Sequence, residues 1–221
     1  MSKIISSTDP TYGSVQRGHW LHNRVVNIFI DLTVQIMYWT FKIGLLPMRR
    51  SRYIAIQSRD IQAEFSYVIA ANHQSVLDPF VITSQLPLAV WLRLRNLRSF
   101  LINYIFDNRL LRPLAISIGS FPARSHPQYP FGLDFAISQL NRGRAILIFP
   151  EGRRTIRGDF PIKRGIHVLA QQPKVMIIPV HIEWKLEQFG RSFAYGIGRP
   201  FEATTLTPEE IMDRVYAVSV M

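Results

Sequence analysis

A histidine and an aspartate stand five residues apart, as His73 and Asp78, in the stretch Asn72-His73-Gln74-Ser75-Val76-Leu77-Asp78. Imidazole moves protons near neutral pH, and a carboxylate can hold its tautomer, so the two read as a base and its orienter. The spacing restricts how they meet. On one uninterrupted helix a separation of five puts side chains about 140° apart, and on one strand it puts them on opposite faces. Contact therefore requires a turn. Ser75-x-x-Asp78 supplies one, since it resembles a capping box with Asp in place of Glu, and Pro79 fits the first turn of a helix. His73 is expected on the loop and Asp78 in the first helical turn. An isolated His-x4-Asp is a short pattern that often arises without function, so its weight depends on the rest of the chain.

The elements that must position this pair follow from apolar patterning. Residues 67–71 read as a buried strand and residues 76–86 as a helix, with a polar strand-and-turn segment before them at 51–64. Beyond lie a short strand at 88–92, a core-packing helical layer across 98–116, a strand at 116–121 and a helix at 131–141 ended by Arg142-Gly143. Residues 145–149 are five apolar residues entering Pro150-Glu151-Gly152-Arg153-Arg154-Thr155. A helix at 164–172, a strand at 175–180 and an edge strand at 193–197 follow. Thr207 caps a last helix that carries Pro208 at its first position. Strands alternating with helices predict an α/β fold, a mixed and largely parallel sheet flanked by helices. Ligands bind beyond the carboxyl ends of strands in such sheets.

Composition narrows the partners. The 221 residues carry a net charge of +11, 48% apolar residues, and no cysteine. Disulfides, cysteine nucleophiles and thiolate metal sites are thereby excluded. The positive balance favours a polyanion: nucleic acid, an anionic membrane surface or a phosphorylated substrate. Aromatics sit in apolar runs instead of alternating with basic residues, which argues against a nucleic-acid platform. Residues 1–19 read as a flexible leader without a secretory signal pattern, residues 20–50 as an N-terminal membrane-interface helical segment, and 51–221 as the α/β domain. Within 20–47, Arg24, Asn27, Asp31, Gln35, Tyr38 and Lys42 recur in steps of three and four and form one polar stripe. A spanning helix would be strongly destabilised by Asp31 near its centre, whereas a helix lying in the headgroup region could keep that stripe wet. The competing expectation is an amphipathic helix packed on the core.

Four strand-end groups carry the charge: His73 with Asp78, Arg124, Glu151 with Arg153 and Arg154, and Lys163-Arg164. Arginine grips phosphate through a planar fork, so this set suggests a phosphate-bearing substrate with a hydroxyl near His73. No third metal-ligating residue joins the His/Asp pair, and no metal is expected.

The block at 72–78 together with Phe149-Pro150-Glu151-Gly152 resembles the glycerophosphate acyltransferase superfamily, most closely its 1-acylglycerol-3-phosphate acyltransferases. The similarity extends over residues 67–200: 119–124 resembles the block ending in a phosphate-binding arginine, and 175–180 the later apolar-Pro-apolar block. Arg153 departs from the pattern, standing where a small residue is usual, and Phe121-Pro122-Ala123 replaces a more aliphatic run. The resemblance implies transfer of an acyl group from acyl-CoA or acyl carrier protein, as co-substrate and without a cofactor, to a lysophospholipid hydroxyl. His73 and Asp78 are then the catalytic pair, and Arg124, Arg154 and Lys163 bind the phosphate. Glu151 and Gly152, with Asn72 and Ser75, order the loops or touch substrate. A thioester hydrolase using water is the rival reaction. Attachment is expected to be monotopic, on the cytoplasmic face of an anionic membrane.

Overall fold

Six residues at the middle of a seven-stranded sheet, Ser66–Ala71, form β2, and five of them are buried. The protein was studied as a computed structural model that describes residues 24–94, 97–101, 108–123, 132–155, 161–187 and 190–220. In chain order these hold α1 (Arg24–Gly44), β1 (Arg49–Ile54), β2, α2 (Asp78–Gln85), α3 (Leu88–Arg93), β3 (Arg98–Leu101) and α4 (Leu111–Ser117). Then come β4 (Ser120–Pro122), α5 (Gly132–Leu140), β5 (Ile146–Ile148), α6 (Gly165–Ala170), β6 (Val175–Glu187), β7 (Gly190–Ile197) and α7 (Pro208–Tyr216). Two single-turn 3₁₀ segments, Leu46–Met48 and Ser58–Asp60, flank β1. The expected leader at 1–19 lies outside the described residues.

The strand order is β1-β7-β6-β2-β5-β3-β4, and every neighbouring pair is parallel except β6 with β7. This is the mixed, largely parallel α/β sheet that the alternating pattern predicts. Its central strands read as unbroken apolar runs because helices cover both faces. Ile69, Ile146, Leu147, Ile177 and Ile178 are fully buried there. Parallel strands β2, β5 and β6 bring their carboxyl-side loops to one edge, and the site lies at that edge.

Four expectations are corrected. Residues 88–92 are helical, in α3: Pro87 starts a single-turn segment whose six residues are too few for periodicity to separate helix from strand. The described parts of the apolar stretch 98–116 include strand β3 and helix α4, and Leu110 at the cap of α4 and Leu114 on it stand exposed. The strand expected at 116–121 is shortened to Ser120–Pro122, since α4 runs to Ser117 and Gly119 then turns the chain at φ +74°. The 193–197 strand is interior, because arginine-rich β1 pairs outside it and takes the edge. A charged edge strand also resists pairing with a second chain.

Helix α1 packs on the core, as the competing expectation had it, with Ile30 and Val34 buried. Four members of its polar stripe, Asp31, Gln35, Tyr38 and Lys42, face the domain and bond to it, where a wet stripe was expected. Asp31 pairs with the buried Arg98 guanidinium at 2.6 Å, and the Trp91 indole N–H donates to Gln35 at 2.9 Å. Tyr38 donates to the Leu86 carbonyl at 3.0 Å and stacks on Trp91 at 4.8 Å. Lys42 donates to the carbonyls of Ser84 and Leu86, at 3.0 and 3.1 Å, where α2 ends and its last carbonyls lack helical partners. The apolar face turns outward instead: Phe29 is 62% exposed and Ile36 67%, and Ile28, Leu32, Trp39 and Ile43 share that exposure. Among the described residues no helix is long and apolar enough to cross a membrane.

Candidate active site

Beyond Ala71, paired with Val180, the β2 backbone leaves the sheet while β6 continues. Two side-chain amides replace the missing backbone partner. Asn72 donates to the Ile182 carbonyl and accepts from the Ile182 N–H, both at 2.8 Å, and Gln74 accepts from the Trp184 N–H at 3.0 Å. Amides two residues apart thus match β6 groups two residues apart, holding the loop against the strand although the chain has begun to turn. Asn72 is buried, so its place is structural.

The turn brings His73 and Asp78 together. His73 Nδ1 lies 2.8 Å from Asp78 Oδ2, and the same oxygen accepts from the N–H groups of Gln74 at 2.7 Å and Ser75 at 2.8 Å. Asp78 Oδ1 accepts from the indole N–H of Trp184 at 2.6 Å. Asp78 has no solvent exposure, whereas the His73 side chain is 20% exposed. A carboxylate on Nδ1 fixes the tautomer that leaves Nε2 as the acceptor, and Nε2 has no partner among the described residues.

Ser75 does not form the expected capping box. The helix begins at Asp78 with Leu77 at the cap position, and the Ser75 hydroxyl accepts from the Leu77 N–H at 3.2 Å, closing the turn. Asp78 reaches backwards over that turn from the first helical position. Ser75 stands two residues ahead of the cap position, too far from the helix for its side chain to serve as the cap.

The second loop grips the backbone of His73 from both ends. The Glu151 carboxylate accepts from the His73 N–H at 2.9 Å, and the Thr155 N–H donates to the His73 carbonyl at 2.8 Å. Phe149 stacks on the imidazole at 4.2 Å and 24°, fixing the plane of the ring. Glu151 is 2% exposed, and its other oxygen accepts from the Tyr216 hydroxyl of α7. Burial raises the Glu151 carboxyl above the usual carboxylate range; the bonds from Tyr216 and His73 oppose that rise. With both oxygens engaged inside the protein, Glu151 orders the loop. Gly152 turns it at φ +68°, a conformation that glycine adopts without strain. The stem of Lys163 crosses Gly152, where an added Cβ would meet it at 3.1 Å.

Among the expected phosphate ligands, Arg154 is exposed one residue before Thr155, and Lys163 is exposed beside Gly152, so both are carried by the loop that holds His73. Arg124 lies outside the described residues. Trp184 and Tyr216 were missed by sequence reasoning. They lie 106 residues from Asp78 and 65 from Glu151, and no local pattern marks them. Only the β2–β6 register could have pointed to Trp184, four residues past the last paired position. Among the described residues no group of three or more His, Asp or Glu side chains is gathered to hold a metal ion.

An open-sided groove runs beneath α1, lined by Val34, Met37, Phe41, Val76, Phe80 and Phe100 among others. Val76 and Pro79 line it, so the groove reaches the turn that carries His73.

The family profile described as Acyltransferase matches residues 53–183. The chain belongs to the acyltransferase family. Its similarity to curated acyltransferases is spread across kingdoms. It is 29% identical to the 1-acyl-sn-glycerol-3-phosphate acyltransferase of Bacillus subtilis (strain 168), over 54% of this chain and 57% of that protein. It is 30% identical to the Saccharomyces cerevisiae 1-acyl-sn-glycerol-3-phosphate acyltransferase and 32% identical to the alpha form of Mus musculus. Those matches cover 53% and 52% of this chain and 39% of each relative. The chain therefore spans about half or less of the length of these relatives. The crystal structure of the 1-acyl-sn-glycerophosphate (LPA) acyltransferase PlsC from Thermotoga maritima superposes with a TM-score of 0.54 at 18% identity. That superposition covers 83% of this chain and 75% of the other, a likeness of fold. The matched segment of this chain contains His73, Asp78, Glu151 and Trp184's neighbour Glu183, but ends before α7 and Tyr216.

Proposed function

We propose that this chain transfers a fatty acyl group from an acyl thioester, carried by coenzyme A or acyl carrier protein, to the free hydroxyl of 1-acylglycerol-3-phosphate, giving phosphatidate. One observation carries the reading: an imidazole locked by a buried carboxylate on Nδ1, its other nitrogen without a partner among the described residues, on a turn whose Val76 and Pro79 line an apolar groove. His73 Nε2 accepts the acceptor hydroxyl's proton as that oxygen attacks the thioester carbonyl and the C–O bond forms. Asp78 stabilises the imidazolium. As the tetrahedral intermediate collapses, the C–S bond breaks and the imidazolium returns the proton to the departing thiolate. With no cysteine and no Gly-x-Ser-x-Gly elbow, transfer is direct, without an acyl-enzyme. Arg154, Lys163 and Arg124 hold the phosphate, and the groove beneath α1 takes the acyl chain.

The exposed apolar face of α1 supports monotopic attachment, with its polar stripe bonded inward and its outer face in the acyl–headgroup boundary of an anionic, cytoplasmic leaflet. The enzyme then meets its lipid acceptor at the surface that holds it.

The test uses labelled acyl thioester with and without lysophosphatidate in vesicles. Phosphatidate should form only with acceptor, and His73→Ala should lower turnover by about 10²–10⁴ without altering the thermal melt. Release of free acid at a rate indifferent to acceptor would make the protein a hydrolase, and near-normal turnover in the variant would remove His73 from the chemistry.

A further inference from the structure

We propose that Trp184 is a positioning residue for the reaction: its indole N–H fixes the rotation of the Asp78 carboxylate, and through it the imidazole of His73. The inference rests on the His73 mechanism proposed above. The two oxygens of Asp78 are held very differently. Oδ2 accepts three bonds, from His73 Nδ1 and from the N–H groups of Gln74 and Ser75, all of them within the same turn. These contacts converge on one atom and leave the carboxylate able to swing about it. Oδ1 is held from another element, by Trp184 Nε1 at 2.6 Å, a short charge-assisted bond. With Asp78 fully buried, no water takes over that oxygen when the indole leaves.

Trp184 is itself held on both sides. Its backbone N–H donates to the Gln74 side chain, and its ring packs against Phe193 of β7 at 5.4 Å. The strand that carries it continues past the last residue paired with β2, so the β6 extension delivers this donor over the turn. Phenylalanine at position 184 would keep an aromatic ring facing Phe193 and the backbone bond to Gln74, and would delete the N–H together with the indole's second ring.

Trp184→Phe should lower kcat about tenfold while both KM values stay within about twofold, the signature of an interaction exerted at the reacting centre instead of in substrate binding. Introduced into an Asp78→Ala background, the same change should have no further effect, because its acceptor is already gone. A readout independent of turnover comes from indole ¹⁵N–¹H spectra of the four-tryptophan protein. The Trp184 resonance, identified by its absence in Trp184→Phe, should be displaced in Asp78→Ala, whereas that of Trp91, bonded to Gln35, should not move. Full kcat in Trp184→Phe, additive losses in the double variant, or an indole resonance unmoved by Asp78→Ala would each overturn the proposal. Should Trp184→Phe fail to fold, the Asp78→Ala spectrum decides alone, with the Trp184 resonance assigned by elimination from Trp20→Phe, Trp39→Phe and Trp91→Phe proteins. A His73→Ala protein that keeps its turnover would instead sink the mechanism, so the two failures are told apart.

Discussion

Replacing Tyr216 by phenylalanine removes one hydroxyl from a carboxylate that has two donors among the described residues. The remaining donor to Glu151 is the His73 N–H, and Glu151 itself is nearly inaccessible to water. A hydrogen bond to a charged group contributes about 1.5–3 kcal/mol net. The ring stays edge-on to His181 at 5.5 Å, so no cavity is added. A loss of about 2 kcal/mol is expected at neutral pH, equivalent to a fall of about 1 M in urea midpoint for an m-value near 2 kcal/mol per M. The sign of its pH dependence follows from the burial of Glu151. Its carboxyl is already raised in the folded state, so its contribution to stability is present below the unfolded value and lost as pH rises through the folded one. Removing the hydroxyl lifts the folded value further. The deficit of Tyr216→Phe is therefore largest well above the carboxylate range and shrinks as pH falls into it, where both proteins carry a neutral Glu151. Urea unfolding at about pH 7.5 and about pH 4.5 brackets that window. A deficit of equal size at both would refute the argument that Tyr216 acts by supporting a buried charge.

Three further outcomes are expected. Asp31→Asn leaves the buried Arg98 guanidinium without its counter-charge, while burial already lowers that group's proton affinity, and should destabilise the protein by about 3 kcal/mol in urea unfolding; an unchanged midpoint would show the pair to be incidental. Arg154→Ala should raise the KM for lysophosphatidate about tenfold with little change in that for the thioester, and an unchanged acceptor KM in steady-state assays would remove the guanidinium from phosphate binding. Leu32→Glu with Ile36→Glu should release the protein from anionic vesicles in flotation assays without moving the melting temperature, because both side chains face outward; retention on the vesicles would place the attachment elsewhere.

Where burial is complete and the apolar run unbroken, the sequence was a good guide. Strands β2 and β5 and helix α5 fall within a residue or two of their expected limits. Thr207 caps α7 with Pro208 following it, as expected, and the structure adds a reciprocal bond from Glu210. The His73–Asp78 contact was legible because only a turn lets residues five apart touch. The rest of the site was not. The donor on Asp78 Oδ1 and the clamp on Glu151 depend on strand register and on where the last helix docks, and both are settled by long-range packing. The orientation of α1 was misread for a physical reason. A stripe of polar residues on a greasy helix reads as the wet face, yet here Asp31, Gln35, Tyr38 and Lys42 each find a specific partner: an arginine, an indole, or a carbonyl at the end of α2.

That mounting bears on how the protein can be handled. Trimming 24–44 to obtain a detergent-free fragment would not merely shed a greasy handle. It would strip the counter-charge from Arg98, the stacking partner from Trp91 and the ammonium from the end of α2, and it would open the groove that reaches the turn carrying His73. Solubility is better sought by repainting the outward side chains than by cutting the helix away.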